Sequence, residues 1–207
     1  MKVLAIGAHF DDIELGCGGT LLKHRQRGDE ICLLTITKSG YKEISGRKRC
    51  SIDAKREAKK NSDILAADLI TLNFETLTLR NDSDLVFAIQ KIVENIKPDC
   101  IYTHFPFDQH TDHAAVGAAT IIAGRRANKI LFYLSNFNPT LQPFVKNYVV
   151  DISKYIDQKM KLISSYQSEY PKTERWKTMF HAQAQADGQA FGFNYAETFM
   201  QFYDKGF

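Results

Sequence analysis

The chain has 207 residues, a length typical of one domain with a sizeable buried core. Hydrophobic residues make up 44% and charged residues 25%, which are ordinary globular values and exclude collagen-like and disordered classes. A formal net charge of +3 is too small to indicate a nucleic-acid-binding or membrane-surface protein, so we expect neither partner.

Neither the N-terminus nor the cysteines indicate secretion. The apolar run that opens the chain ends after a few residues at His9, and no stretch reaches the roughly 18 apolar residues of a membrane span. The four cysteines are scattered, with no CxxC pair and no short-spaced disulfide framework. We therefore expect reduced thiols, a cytoplasmic location and no membrane span.

Strand-like and helical segments alternate along the first two thirds of the chain. Aliphatic and β-branched runs predict strands at 2–7, 31–37, 69–74, 100–104 and 129–134. Helical spacing predicts helices at 20–26, 51–67, 84–97 and 112–126. This order predicts an α/β fold: a Rossmann-like, mostly parallel sheet with helices on both faces.

The last third differs in character but continues without a linker. It contains helical patterns at 153–170 and 174–186 and a strand-like run at 198–203, so we expect a single domain over 1–207. Its aromatic residues Trp176, Phe180 and Phe191 most simply pack in the core. The alternatives are a substrate wall or a subunit contact in a homo-oligomer.

Polar residues crowd the turn that follows the first strand. His9, Asp11, Asp12 and Glu14 lie within six residues of one another. Carboxylates beside the end of a buried strand are costly to desolvate unless they are paired or bind a cation. The turn is therefore a candidate metal site.

A second polar group follows the fourth strand. His110, Asp112 and His113 precede the next predicted helix. Because ligands bind at the carboxyl ends of parallel strands, both groups belong to the same edge of the sheet. A catalytic zinc typically has three protein ligands, for which imidazole and carboxylate are suited.

Each group also has a simpler interpretation. Asp112 can cap a helix, Asp11 and Asp12 can be turn residues, and a lone histidine is usually structural. The glycines at 16, 18 and 19 can form a phosphate-binding loop, although they lack the GxGxxG spacing. The basic stretch at 42–60 is most simply a solvated face. The joint placement of the two polar groups favours a metal.

Two motifs resemble those of a known family. The segment 8–20, AHFDDIELGCGGT, resembles the AHPDDxE signature of the PIG-L/LmbE-like zinc deacetylases, and HTDH at 110–113 resembles their second motif. Weaker similarity extends to Arg56-Glu57, to 150–153 and to 192–199. The resemblance covers nearly the whole chain and implies removal of an N-acetyl group from a glucosamine-containing small molecule.

The resemblance also implies a role for each site residue. The zinc ligands would be His9, Asp12 and His113, although another divalent metal is an alternative. Asp11 would be the general base that deprotonates a zinc-bound water. His110, if protonated, would donate a hydrogen bond to the tetrahedral oxyanion, and Asp112 would orient it.

Supporting roles are implied for the remaining residues. Glu14 would hold the turn or a ligand, and Arg56 would contact substrate. Phe10 stands where the family most often has proline and would add an aromatic wall to the pocket. Glu75 follows the third strand, where many relatives carry an acidic residue, and is a weaker candidate.

The residues leave two other functions open. One is a deformylase, an amidase or a natural-product tailoring deacylase that uses the same metal site. The other is a non-enzymatic module that binds a ligand at the sheet edge.

Overall fold

The computed structural model describes residues 1–44 and 46–206. Its central element is a seven-stranded sheet of order β5-β2-β1-β6-β7-β9-β8. The first five strands in this order pair in parallel, β9 is antiparallel to β7, and β8 is antiparallel to β9. Strands β3 and β4 form a separate hairpin. The strands are β1 Lys2–Gly7, β2 Glu30–Thr37, β3 Tyr41–Lys42, β4 Lys48–Arg49, β5 Asp68–Phe74, β6 Cys100–His104, β7 Lys129–Tyr133, β8 Tyr148–Asp151 and β9 Ala196–Asp204.

Helices cover both faces of the sheet, as the sequence predicted. They are α1 Asp12–Gln26, α2 Ser51–Leu65, α3 Ser83–Ile96, α4 Thr111–Ala123, α5 Ile156–Ser164 and α6 Lys172–Ala190, with a short 3-10 helix at Gln167–Glu169. Apolar residues of α3 and α4 pack on one face of β1, and those of α1 and α5 pack on the other. Because β1 is covered on both sides, its side chains from Val3 to Ile6 are fully buried.

Helix α1 begins earlier than the sequence predicted. It starts at Asp12, and the glycine-rich segment expected as a turn lies inside it, around a break at Cys17 with φ −141° and ψ 17°. Gly16 is required by close packing, because a Cβ there would overlap the Tyr133 ring. The helix thus begins directly at the acidic turn.

The tail also differs from its prediction. The helix expected over 153–170 is shorter and is followed by the 3-10 helix, and β8 was not predicted. Phe180 is buried, as expected, whereas Phe191 is 46% exposed. The four cysteines are free thiols. None of the helices in the described ranges is long and apolar enough to cross a membrane.

Candidate metal centre

The polar residues of the two motifs meet at the carboxyl edge of the sheet. Asp12 is the first residue of α1, directly beyond β1, and His113 lies in the first turn of α4, beyond β6. These two strands are neighbours in the sheet, so their ends bring the two motifs together. The sequence predicted this convergence from strand order.

Asp12 is at the centre of a buried group of imidazoles, which we call the Asp12 cluster: Asp12, His9, His104 and His113. Asp12 Oδ2 lies 3.3 Å from His9 Nδ1, and Asp12 Oδ1 lies 3.2 Å from His113 Nε2. His104 Nε2 is 3.1 Å from Asp12 Oδ2. The hydroxyl of Ser135 donates to Asp12 Oδ1 at 2.9 Å. The carboxylate therefore faces three imidazoles from three separate chain segments.

Two further carboxylates hold the outer nitrogens of these rings. Asp112 Oδ2 lies 2.9 Å from His9 Nε2, and Asp108 Oδ2 lies 3.2 Å from His113 Nδ1. His9 and His113 thus each turn one nitrogen toward Asp12 and keep the other on a carboxylate. Histidines that bind metals show this arrangement, because the outer carboxylate fixes the tautomer and makes the ligating nitrogen more basic.

The electrostatics of the cluster favour a positive charge. Burial alone would lower the pKa of His9, but hydrogen bonds to Asp112 and Asp12 raise it to about 9. Burial likewise opposes protonation of His113, yet the charge of Asp12 and the hydrogen bond to Asp108 raise its pKa to about 10. Burial would raise the pKa of Asp12, but the charges of His113 and His104 hold it well below its usual value.

The donor atoms of the cluster fit a metal ion. Two overlapping sets have nitrogen or oxygen donors within 4.8 Å of one another: His9, His110 and His113, and Asp12, His104 and His113. The Nδ1 atoms of His104 and His110 are buried without a hydrogen-bond partner among the described residues. Imidazole and carboxylate donors together suit zinc among the common divalent metals. Of the predicted ligands, His113 belongs to both sets, His9 to the first only and Asp12 to the second only.

Asp11 faces the cleft beside the cluster. Its backbone has φ 118°, a value rare for a residue with a side chain. Asp11 Oδ2 lies 2.9 Å from Arg49 NH1, and the Arg49 guanidinium also contacts Glu169 Oε1 at 3.2 Å. Burial raises the pKa of Asp11 to about 7, although the charge of Arg49 opposes this shift. A carboxylate with a pKa near neutrality is suited to accept a proton.

His110 lines the same cleft, but Asp112 does not orient it. The His110 ring stacks on His113 with centroids 4.3 Å apart. Burial and the charges of His113 and His9 lower the pKa of His110 to about 4. The expected contact with Asp112 is therefore corrected: Asp112 pairs with His9, and the lowered pKa of His110 favours the neutral form of its ring.

Glu14 has no contact with the cleft. Its carboxylate accepts hydrogen bonds from the Tyr166 hydroxyl at 2.7 Å and from Asn61 Nδ2 at 3.1 Å, and burial raises its pKa. These contacts join α1 to α2 and to the segment after α5. Glu14 thus holds the start of α1 against these neighbouring segments.

Two residues expected to contact substrate lie elsewhere. Phe10 is 3% exposed and packs with Ala54, Ala58 and Tyr166 in a small core cluster, so it forms no wall of the cleft. The Arg56 side chain is 67% exposed and pairs with Asp53 on the outer side of α2. Arg49, from the basic stretch expected to be a solvated face, is the arginine that the fold buries in the cleft.

The cleft has a volume of about 640 Å³, within the range of small-molecule sites. Beyond the cluster, its walls carry both charged and apolar side chains. The polar and charged wall residues include Tyr41, Glu43, Glu169, Lys172 and Arg175, and the apolar ones include Leu77, Phe137, Trp176 and Met179. Glu75 pairs with Lys38 outside the cleft, so the structure does not support Glu75 as a residue of the site. Trp176 packs against a core cluster, as expected, and also lines the cleft.

Sequence reasoning missed four residues of the site: His104, Asp108, Ser135 and Arg49. His104 ends a buried strand at the same edge, and Asp108 lies between it and the HTDH motif. The position of each residue in the sequence was therefore enough to make it a candidate for the site. Ser135 follows β7, the parallel neighbour of β6, so its position made it a candidate as well. Arg49 carries no such signal, because its segment meets the site only through the tertiary fold.

A Rossmann-like sheet with imidazole and carboxylate donors gathered at its carboxyl edge defines an α/β protein with a candidate metal site. The family model described as GlcNAc-PI de-N-acetylase (PIG-L) matches residues 4–123, more than half of the chain. The chain belongs to this family, whose members are deacetylases.

Individual relatives agree with the family assignment. The chain is 36% identical over 138 residues to YaiS of Escherichia coli K12, described as an uncharacterized deacetylase, covering 63% of this chain and 72% of that protein. It is 26% identical to the diacetylchitobiose deacetylase of Thermococcus kodakarensis, covering 95% of this chain and 81% of that protein. The crystal structure of the conserved protein TT1542 from Thermus thermophilus has the same fold, with a TM-score of 0.85 at 24% identity over 99% of this chain and 96% of the other.

Proposed function

We propose that this protein is a zinc-dependent hydrolase that removes the acetyl group from the amide nitrogen of a small molecule containing an N-acetylglucosamine-type sugar. Two relatives support the substrate class by name: the diacetylchitobiose deacetylase and a probable N-acetyl-α-D-glucosaminyl L-malate deacetylase of Bacillus anthracis, which is 25% identical over 189 residues. A cleft of about 640 Å³ suits a small glycoside.

The observation that carries the proposal is the orientation of His9 and His113. Each imidazole directs one nitrogen to Asp12 and the other to a carboxylate of its own. Two rings held in this way, with Asp12 between them, supply the three protein ligands of a catalytic zinc. Zinc bound there would polarise the acyl carbonyl and make water a nucleophile at neutral pH.

Asp11 acts as the general base of the reaction. Its carboxylate takes a proton from the attacking water, whose oxygen bonds to the acyl carbon, and returns a proton to the nitrogen as the C–N bond breaks. Arg49 holds this carboxylate through the contact of its NH1 with Asp11 Oδ2 at 2.9 Å. The products are acetate and a primary amine.

His110 stabilises the oxygen of the tetrahedral intermediate. Its ring lies 5.0 Å from that of His9 and 4.3 Å from that of His113, measured between centroids, so it would adjoin a carbonyl bound at the cluster. A neutral imidazole donates one hydrogen bond, and such a donor is typically worth about 10²–10³ in turnover.

The test is a measurement of metal content and acetate release on one preparation. Protein purified without added metal should contain about one zinc per chain, release acetate from an N-acetylglucosaminide, and lose this activity to a chelator until zinc is restored. N-formyl and longer N-acyl analogues should react more slowly. Wild-type protein that binds no metal, or that turns over only N-formyl substrates, would contradict the proposal.

A further inference from the structure

Glu169 is a buried carboxylate on the wall of the cleft, at the end of the 3-10 helix. Its side chain is only 3% exposed. Its Oε2 atom accepts a hydrogen bond from the Tyr41 hydroxyl at 2.8 Å and lies 3.2 Å from Arg47 NH2. Its Oε1 atom lies 3.2 Å from Arg49 Nε. The contacts at Oε2 fix the orientation of the carboxylate, so Oε1 is presented to Arg49.

The Arg49 guanidinium connects Glu169 to the turn that carries Asp11. Its Nε atom contacts Glu169 and also donates to Ser168 Oγ at 3.2 Å. Its NH1 lies 2.9 Å from Asp11 Oδ2, and its NH2 donates to the Phe10 carbonyl at 3.0 Å. Every guanidinium nitrogen therefore has an acceptor. Because the group is planar and rigid, an acceptor that fixes Nε also fixes the directions of NH1 and NH2.

The turn at Asp11 needs support from outside its own segment. Asp11 has φ 118°, and such a conformation persists only where the surrounding structure holds it. The Phe10 N–H donates to Ser39 Oγ at 2.7 Å, while Arg49 holds both the Phe10 carbonyl and the Asp11 carboxylate. The orientation of Asp11 therefore depends on Arg49, and that of Arg49 depends on Glu169.

We propose that Glu169 is a positioning residue for the reaction: by holding the Arg49 guanidinium, it keeps the Asp11 carboxylate oriented to act as the general base. This inference rests on the proposed function. Glu169 itself transfers no proton. A displacement of about 1 Å at a reacting group costs about 10²-fold in rate, so loss of the Glu169 charge should act on kcat.

The first experiment compares Glu169→Gln with Glu57→Gln. Glu57 is the matched control, because it is a buried carboxylate that accepts the Ser168 N–H at 2.9 Å and so holds the same segment through Ser168 rather than through Arg49. Both variants should lower the melting temperature. Only Glu169→Gln should lower kcat, by about 10-fold, with KM within about twofold of wild type and unchanged zinc content.

The second experiment is chemical rescue of Arg49→Ala by guanidinium ion. Arg49→Ala should lower kcat about 10- to 100-fold, and free guanidinium should restore part of it. In the double variant Arg49→Ala/Glu169→Gln, the guanidinium concentration for half-maximal restoration should rise about 10-fold or more, because a charge-assisted hydrogen bond to the ion is lost. Sodium chloride at equal ionic strength is the salt control.

Melting temperatures detect the same binding without turnover, since an ion that binds only the folded protein stabilises it. Relative to wild type at each guanidinium concentration, the melting temperature of Arg49→Ala should rise, and that of the double variant should not.

Wild-type kcat in Glu169→Gln would overturn the role of Glu169, and so would an equal loss of kcat in Glu57→Gln. Equal guanidinium dependence of the single and double variants would also overturn it. If wild-type protein releases no acetate, the proposed function fails separately. The melting temperatures then decide whether Glu169 holds the guanidinium: a rise confined to Arg49→Ala supports this contact, and equal rises in both variants exclude it.

Discussion

Two buried charged groups in this protein contrast with each other. In the first, Lys159 Nζ lies 2.6 Å from Glu197 Oε1 and donates to the Leu15 carbonyl at 2.8 Å. The two Glu197 oxygens accept the N–H groups of Gly19 and Thr20 at 2.9 and 2.7 Å. These are backbone groups freed by the break in α1 at Cys17. Charges and hydrogen bonds are thus matched inside the protein.

The second group, the Asp12 cluster, is not matched in this way. It faces an open cleft, and the Nδ1 atom of His110, which lines that cleft beside the cluster, lacks a partner among the described residues. Two of its imidazoles have raised pKa values, which is the response of a site that favours a cation. Burial and charge alone therefore do not identify function. What indicates a binding site is a donor atom that has no partner within the protein and lies at a cleft.

Among the variants considered, Asp11→Asn should have the largest effect, and the quantity that it lowers is kcat. The variant keeps the size of the side chain but cannot accept a proton, so kcat should fall by about 10²–10⁴. Zinc content should remain that of wild type, because Asp11 pairs with Arg49 and is not one of the proposed ligands. Acetate release and metal analysis check this.

The neighbouring variant Asp12→Asn is the matched control, since it should lose zinc and activity together. Full activity in Asp11→Asn would remove the general base from the mechanism.

The next largest effect is expected for Lys159→Met, which should lower the stability of the fold. It leaves the buried Glu197 carboxylate without its countercharge, which should cost about 3–5 kcal/mol in the free energy of unfolding. The folded fraction should keep wild-type zinc content and kcat, because the pair is closed and lies outside the cluster. Denaturant unfolding and acetate release measure the two properties.

Lys161→Met, on the exposed face of the same helix, is the control and should change the free energy of unfolding by less than about 0.5 kcal/mol. If the folded Lys159→Met variant lost zinc, the Lys159–Glu197 pair would also support the metal site, and the contrast between the two groups would be wrong.

A more modest effect concerns the outer carboxylate of His113. Asp108→Asn keeps the shape of the side chain but removes the charge that fixes the ring, so zinc affinity should fall by about 10- to 100-fold. Competition with a chromophoric chelator measures this affinity. Asp84→Asn, on the exposed side of α3, should leave it unchanged. Equal affinities in the two variants would show that Asp108 does not support the metal site.

Much of the fold followed from local patterns. The runs that became β1, β2, β5, β6 and β7 are continuous apolar segments, and their alternation with helices dictates parallel pairing. The tail was harder, because β8 has no pattern of its own and forms by pairing with β9, about 45 residues further along the chain. The start of α1 was missed because glycine disfavours helix, and only packing against Tyr133 makes glycine necessary there.

Two arginines illustrate a feature of the site that could not be predicted from the sequence. Arg49 and Arg56 belong to the same basic stretch, and a motif match favoured Arg56. The fold buries Arg49 against Asp11 and leaves Arg56 in solvent. The choice depends on the direction in which α2 and the preceding hairpin leave the sheet, which no local pattern contains.

Sequence was enough to establish that the chain forms an α/β sheet and that histidines and aspartates gather at its carboxyl edge, since strand order and motif position are properties of the chain. Which carboxylate holds which imidazole was settled by tertiary packing, as were the inclusion of His104 and the pairing of Asp112 with His9 rather than His110. Those pairings depend on distances of about 3 Å between atoms up to about a hundred residues apart in sequence, and such distances are set only when the strands and helices pack.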